Sequence, residues 1–319
     1  MTSRRVVLLA AGLLLAGAAR ARAQGTTGAM LLELPATARS LGLGGAMAAM
    51  LGDAGSVFGN PAGLALIKRT ALSVSYGRYL LDSYLAGAAV AVRTGRFDVG
   101  LGVRLLDFGS DSAIVTDPLS GGDRGTATGG TIGAYDALAA GTLTYRRGFL
   151  SAGVTVKALQ EHVTVGAGPA ENAWAVGADA GFAVAFFDIS ALGVVVQNIG
   201  GDVHGGTAAR APLPRTTRVG FTLNILDPMG TTRLLTTTEW VVPRGAAHYW
   251  IFGSEFGVVS GGVGLLGRVG FLTHREDSAI RSPVFGGGLV YHNLRLDYAY
   301  QDPGVLGDGL HRFTATWVW

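Results

Sequence analysis

From about residue 70 to its last residue, the chain alternates apolar with polar or glycine residues at a period of two, in runs of about 10–14 residues. The run from Arg96 to Leu105 is the cleanest. Phe97, Val99, Leu101, Val103 and Leu105 share one face; Arg96, Asp98, Gly100, Gly102 and Arg104 share the other. Leu150 to Lys157, Trp174 to Phe182, Arg218 to Ile225 and Asn293 to Gln301 repeat the pattern. A strand sends successive side chains to opposite faces, so each run predicts a strand with one apolar face. A soluble sandwich would pack those faces together, on strands of a usual length of about 5–6 residues. These runs are about twice that, and their polar faces are rich in glycine and small residues. That combination predicts an all-β fold: a transmembrane antiparallel β-barrel, with lipid outside and a crowded interior.

The composition agrees. The chain is 49% hydrophobic and 15% charged, with 51 glycines; an ordinary globular chain carries about 25% charged residues. After residue 24 no stretch of about 18 apolar residues is free of polar interruption, which argues against a membrane-spanning helix. Fourteen strands are expected, starting near residues 70, 83, 96, 134, 149, 172, 188, 214, 231, 247, 263, 282, 293 and 309. Short turns fall near Gly95, Gly148, Asp188, Pro228, Gly262 and His292. Longer polar connections cover 107–132, 163–171, 200–213, 274–281 and 302–308. An even count puts both chain ends on the periplasmic side and the long connections outside. The last strand carries Phe313, Trp317 and Trp319 on one face, a pattern similar to the C-terminal signal of barrels delivered to the barrel-assembly machinery. Its outward aromatics suit the membrane interface. Trp319 should pair with strand one near Ala71 and close the ring.

The N-terminus sets the compartment. Arg4 and Arg5, the apolar run Val6 to Ala18, and Ala21-Arg22-Ala23 read as residues 1–23 of a cleavable secretory signal. An uncleaved membrane anchor is the alternative. Cleavage after Ala23 removes Arg4, Arg5, Arg20 and Arg22 and takes the formal charge from +3 to −1. Basicity therefore points to no nucleic acid. The expected location is the outer membrane, with outer-membrane lipid as surroundings. The absence of cysteine excludes a lipoprotein anchor, disulfides and thiol chemistry.

Three regions follow: the signal (1–23), a segment of irregular backbone (24–69) and the barrel (70–319). The middle segment does not alternate. Irregular backbone cannot face hydrocarbon, so it is expected inside the lumen as a plug, with a periplasmic arm as the alternative. Its marked features are Gly44, Gly45, Asp53 and Asn60-Pro61-Ala62-Gly63. Asn60 before Pro61 is held extended and can pin a turn. By strand parity Glu239, Glu255, Arg268, Arg295, Asp297 and Arg312 face inward, since a charge at mid-depth on the lipid face costs roughly 2–4 kcal/mol. Glu255 and Arg268 are expected on neighbouring strands, as are Asp297 and Arg312. These charges read either as a ladder that locks plug to wall or as a polar path that gates a ligand.

The order Gly44-Gly45-Ala46, Asp53, Asn60-Pro61-Ala62-Gly63-Leu64 resembles the plug of FadL-like barrels, and more closely that of the PorV/PorQ family. Further similarity lies at Gly153 to Lys157, Gln197-Asn198-Ile199-Gly200, Arg268-Val269-Gly270, Leu296 to Tyr300 and His311-Arg312-Phe313. The resemblance implies a plug that moves when ligand passes. It also implies, for the PorV/PorQ type, secretion-system proteins or secreted substrates as partners.

Enzyme motifs are absent: the sequence has no G-x-S-x-G, Walker loop or H-E-x-x-H. The six histidines, at 162, 204, 248, 274, 292 and 311, lack metal-ligand spacing, so no metal and no cofactor is expected. The expected function is a non-enzymatic outer-membrane barrel of PorV/PorQ type that engages protein partners. The alternative is a FadL-like transporter of long-chain fatty acids or other hydrophobic small molecules. The polar connection 107–132, with Asp111, Asp117 and Asp123, favours the first. An apolar cavity and a kink in the wall near the plug would favour the second.

Overall fold

The computed structural model describes residues 28–80, 83–116, 125–166, 168–187, 189–205, 210–226, 231–273, 283–304 and 309–319. The signal at 1–23, the turns at Asp188 and Pro228 and the connection 274–281 lie outside them.

The described residues form fifteen strands: β1 (Thr70–Arg78), β2 (Tyr84–Thr94), β3 (Phe97–Thr116), β4 (Gly125–Arg147), β5 (Leu150–Val165), β6 (Glu171–Phe186), β7 (Ser190–Gly200), β8 (His204–Gly205), β9 (Thr216–Leu226), β10 (Thr232–Pro243), β11 (Tyr249–Ser260), β12 (Val263–Leu272), β13 (Val284–Tyr291), β14 (Leu294–Gln301) and β15 (Leu310–Val318). Fourteen of them form a closed antiparallel ring, in which consecutive strands pair, β7 pairs with β9, and β15 returns to β1. The two-residue β8 hangs on β6 inside the connection that sequence reading left as loop 200–213. Ring closure matches Leu72 with Trp317 and Ala71 with Val318. Thr70 and Trp319 complete it with reciprocal backbone hydrogen bonds of 2.9 and 3.0 Å.

The faces follow the alternation. Leu101 is 60% exposed and Val176 65%, on the lipid side, while Asp98 and Thr155 are fully buried on the lumen side. Strand starts fall within two residues of expectation, with one exception. β4 begins at Gly125 instead of 134, and β3 runs on to Thr116. The expected loop 107–132 is therefore mostly a hairpin. The reason is a slip of phase: pairing jumps between Asp107 and Ser110 and again between Ser112 and Ile114, with Gly109 at φ 76°. The first shift leaves one extra residue on β3 and the second two on β4, and such extra residues break the period-two pattern. The hairpin also stands above the neighbouring β2, whose pairing with β3 stops at Tyr84↔Asp107, so its faces need not alternate.

Tight turns at the rim where Thr70 meets Trp319 use left-handed residues: Gly95 (φ 61°), Gly148 (φ 61°), Gly262 (φ 80°) and His292 (φ 50°). Glycine takes this conformation at no steric cost, and His292 is the one side chain that accepts it among these four.

Candidate functional site: the plug and the wall that holds it

Residues 28–69 descend through the ring from one rim to the other. Near the far rim the Ala29 amide donates to Glu161 Oε1 of β5 at 2.9 Å. At mid-height the Ala38 amide donates to Thr314 Oγ1 of β15 at 2.8 Å. Near the terminal rim Arg93 Nη2 of β2 donates to the Ala65 carbonyl at 2.9 Å. The segment has four short helical turns: Met30–Leu32, Ala38–Gly42, Ala54–Phe58 and Pro61–Leu66. Each of the last three is set by a capping side chain. Thr37 and Ser40 form a capping box. Asp53 accepts from the Gly55 amide and Asn60 from the Ala62 amide. Pro61 follows at the first helical position, where its missing N–H costs nothing.

The inward glycines of the wall are where the plug presses. A Cβ at Gly181 would overlap Asn60 Oδ1, one at Gly193 the Ala48 carbonyl, and one at Gly270 the Gly44 amide. Asn60 itself is fully buried, and its Nδ2 donates to the Ala48 carbonyl. Wall side chains satisfy the irregular backbone elsewhere: Thr144 Oγ1 donates to Pro61 O (2.6 Å), Ser151 to Ala62 O (3.2 Å) and Gln197 Nε2 to Gly59 O (3.1 Å). Buried backbone groups without partners would each cost about 1–3 kcal/mol. The motif Asn60-Pro61-Ala62-Gly63 is thus held on every side, with Gly63 itself too close to Ser56 and the Met50 carbonyl for a side chain.

Four of the six sequence-selected charges meet in one cycle that the plug completes. Arg295 Nη2 lies 2.8 Å from Asp53 Oδ2, and its Nε lies 2.7 Å from Asp297 Oδ2. Arg268 joins Asp297 (2.8 Å) to Glu255 (2.5 Å). Arg39 returns from Glu255 (3.2 Å) to Asp53 (3.9 Å). Three carboxylates thus alternate with three guanidiniums around a closed ring. Arg39 and Asp53 come from the plug; the other four come from β11, β12 and β14. Arg233 of β10 adds a fourth guanidinium, 2.6 Å from Glu255. Burial pushes the Asp53 carboxyl up, but Arg295 and then Arg39 outweigh that and hold its pKa below the ordinary value.

The other two selected charges lie elsewhere. Glu239 sits apart from the ring. One of its oxygens accepts from the Met47 and Ala48 amides, both at 2.8 Å, and the other pairs with Arg218 at 2.7 Å. Arg312 lies on the strand next to that of Asp297 but does not pair with it. The register sets Arg312 opposite Ala299, two residues along, and its Nη1 donates to the Pro35 carbonyl at 2.9 Å. Arg104 donates to the Leu31 and Pro35 carbonyls beside it.

Sequence reading missed Arg39, Arg218 and Arg233. For Arg39 a signal existed: between residues 34 and 67, Arg39 and Asp53 are the only charged residues. Two lone opposite charges in an apolar segment must find partners. Gly44 and Gly45 take left-handed backbone (φ 75° and 87°) after the helix Ala38–Gly42. Phe313 and Trp317 face outward at 56% and 55% exposure, and Trp319 stands beside Trp317. Among the described residues no group of three or more His, Cys, Asp or Glu could hold a metal ion.

No protein-family model matches the chain, and no curated protein matches it. Solved structures do. The Ralstonia pickettii toluene transporter TbuX is 14% identical, with a TM-score of 0.59 over 91% of this chain and 100% of its own. The Pseudomonas putida toluene transporter TodX is 10% identical, with a TM-score of 0.58 over 88% and 96%. A Pseudomonas aeruginosa FadL homologue is 15% identical, with a TM-score of 0.55 over 88% and 98%. These likenesses establish the fold as FadL-like, a closed barrel of 14 antiparallel strands.

Proposed function

We propose that the protein is a non-enzymatic outer-membrane transporter of hydrophobic small molecules, with a plug that must shift for the molecule to pass. The observation that carries this reading is the match of ring and plug together, over nearly the full length of both chains, to proteins described as toluene transporters. A second feature agrees with it. The wall pairing of β3 breaks at Asp107–Ser110, one residue beyond Leu106, which packs in the same core as Leu31 and Leu32 of the plug. The break lies beside the plug, at the level where the pairing of β3 with β2 ends.

The reading that the protein is of PorV/PorQ type, engaging secretion substrates or other proteins, is favoured by one observation. A cavity within the plug itself, lined by Thr37, Arg39, Met47, Met50 and Asp53 among others, has a volume of about 30 Å³. A single water needs about 10–15 Å³ by the same measure, so this cavity has room for water and none for a hydrocarbon.

Uptake separates the two. Cells lacking their own such transporter would express the protein and be given radiolabelled toluene or a radiolabelled long-chain fatty acid. Uptake above that of vector-only cells supports transport. Background uptake of both, with a secreted protein co-purifying with the barrel, refutes it.

A further inference from the structure

One arc of the rim where Thr70 meets Trp319 is strongly basic. Lys68 and Arg69 precede β1, Arg93 and Arg96 flank the turn from β2 to β3, and Arg146 and Arg147 end β4. The three places are contiguous: the Arg93 amide donates to the Arg69 carbonyl and the Arg146 amide to the Arg96 carbonyl, both at 2.8 Å. The only side-chain carboxylate described among them, Asp98, is buried and taken up by Arg93 and Arg146, at 3.5 and 2.6 Å. Lys68, Arg69, Arg96 and Arg147 are exposed and form no ion pair with any described residue. Across the ring on the same rim, the described turns 260–263 and 291–293 carry no Lys, Arg, Asp or Glu. The wall beside the arc is graded. Leu143, Tyr145 and Arg147 follow one another on the outward face of β4, about 7 Å apart: apolar, aromatic, cation. Phe97 lies opposite Tyr145, with ring centroids 5.3 Å apart, and is the residue after Arg96. Aromatic rings favour the level between hydrocarbon and headgroups, which sets Arg96 and Arg147 at the headgroups. A shallow groove of about 520 Å³ runs along the outer wall from these two rings. It exists because Ala152 sits on its rung between Tyr145 and Phe182, with Ala180 beside Val154 on the next.

We propose that Arg96 and Arg147 bind the phosphate of an anionic phospholipid whose acyl chain lies in the groove over Ala152 and Ala180. Groove and cations together choose this occupant. A soluble anion or an acidic protein would use the cations and leave the groove uncovered. A neutral or zwitterionic lipid would fill the groove and leave the arc's excess positive charge unmatched. A guanidinium takes phosphate oxygens two at a time, and basic clusters beside a membrane-spanning segment favour anionic headgroups. The site is on the outside of the wall and is independent of what passes through the lumen.

The test uses the full protein in micelles of a neutral detergent, mixed with equal amounts of phosphatidylglycerol and phosphatidylcholine of the same acyl chains and read by native mass spectrometry. The wild type should retain the glycerol lipid over the choline lipid by at least about tenfold, since each cation near the headgroups favours the anionic one. Arg96→Gln/Arg147→Gln should bring that ratio close to unity. Ala152→Leu, which fills the groove from outside, should cut retention of the glycerol lipid severalfold. Every protein must first show the heat-dependent gel shift of a folded barrel; where a variant does not, Arg147→Gln alone or Ala152→Val replaces it. A wild-type ratio near unity, or a ratio that the arginine variant leaves unchanged, overturns the proposal. So does displacement of the glycerol lipid by an equal concentration of inorganic phosphate, which would make the arc a site for the free ion. A wild-type dimer that Ala152→Leu dissociates would give the groove to a second copy of the chain, and an acidic protein that co-purifies with the wild type and excludes both lipids would give it to that partner; either result overturns the proposal too.

Discussion

Glu255 is the ring member with the most to lose. Its carboxylate is fully buried and accepts from three guanidiniums: Arg268 Nε at 2.5 Å, Arg233 Nη2 at 2.6 Å and Arg39 Nε at 3.2 Å. In Glu255→Gln, Arg268 keeps Asp297 and Arg39 keeps Asp53, but the only carboxylate within ion-pair distance of Arg233 among the described residues is gone. Four guanidiniums against three carboxylates become four against two. Breaking a buried pair by removing one partner costs about 3–5 kcal/mol, and this substitution belongs in that range. Asp53→Asn should cost less. Asparagine caps a helix as well as aspartate does, Arg295 keeps Asp297 and Arg39 keeps Glu255, so one charge-assisted hydrogen bond is lost, worth about 1.5–3 kcal/mol. The order of the two is the substance of the prediction. Urea unfolding in detergent micelles, followed by tryptophan fluorescence, measures both. Adding Arg233→Gln to Glu255→Gln removes the stranded cation and should recover at least about 1 kcal/mol. If Glu255→Gln costs less than Asp53→Asn, or Arg233→Gln recovers nothing, the ring does not hold the plug.

Three further outcomes follow. The folded pKa of Asp53 lies below its unfolded value of about 3.9, so its contribution is full above that value and is lost as pH falls toward the folded one. Urea midpoints should therefore be flat above about pH 5 and decline below about pH 4, less steeply in Asp53→Asn. Gly181→Ala should cost about 1–3 kcal/mol by overpacking Asn60 and raise conductance in planar bilayers. Gly267→Ala, where a Cβ would touch nothing, should leave both unchanged. Deleting Trp319 removes two backbone hydrogen bonds at the ring closure, about 1–3 kcal/mol, and should lower the heat-modifiable fraction in outer membranes; an unchanged fraction argues against an assembly role.

What could be read in advance depended on periodicity. Where a strand alternates, parity alone placed Glu255 and Arg268 inside, and their turn at Gly261–Gly262 is short enough to set them opposite. Asp297 and Arg312 also obey parity, but the connection between β14 and β15 is longer, so sequence could not supply the register that parts them. The hairpin beyond Leu106 was lost because two register shifts break the phase. The plug has no period at all. There only composition was informative: Asn60 and Asp53 were recognisable as turn-makers, while the partners of Arg39 and Asp53 lay more than 200 residues away. The abundance of glycine inside the barrel was visible, but its cause, a plug moulded against each strand, needed the structure.

That moulding dictates an order of events. The seam of the ring lies between the first strand and the last, and the plug is the stretch of chain just before the first. A finished ring with Gly181, Gly193 and Gly270 already spaced for Asn60, Ala48 and Gly44 leaves no passage wide enough to thread forty residues through afterwards. The N-terminal segment must therefore be in place while the sheet is still an open scroll, and the pairing of Thr70 with Trp319 seals the cargo in. The protein is built the way a bottle is blown around a stopper.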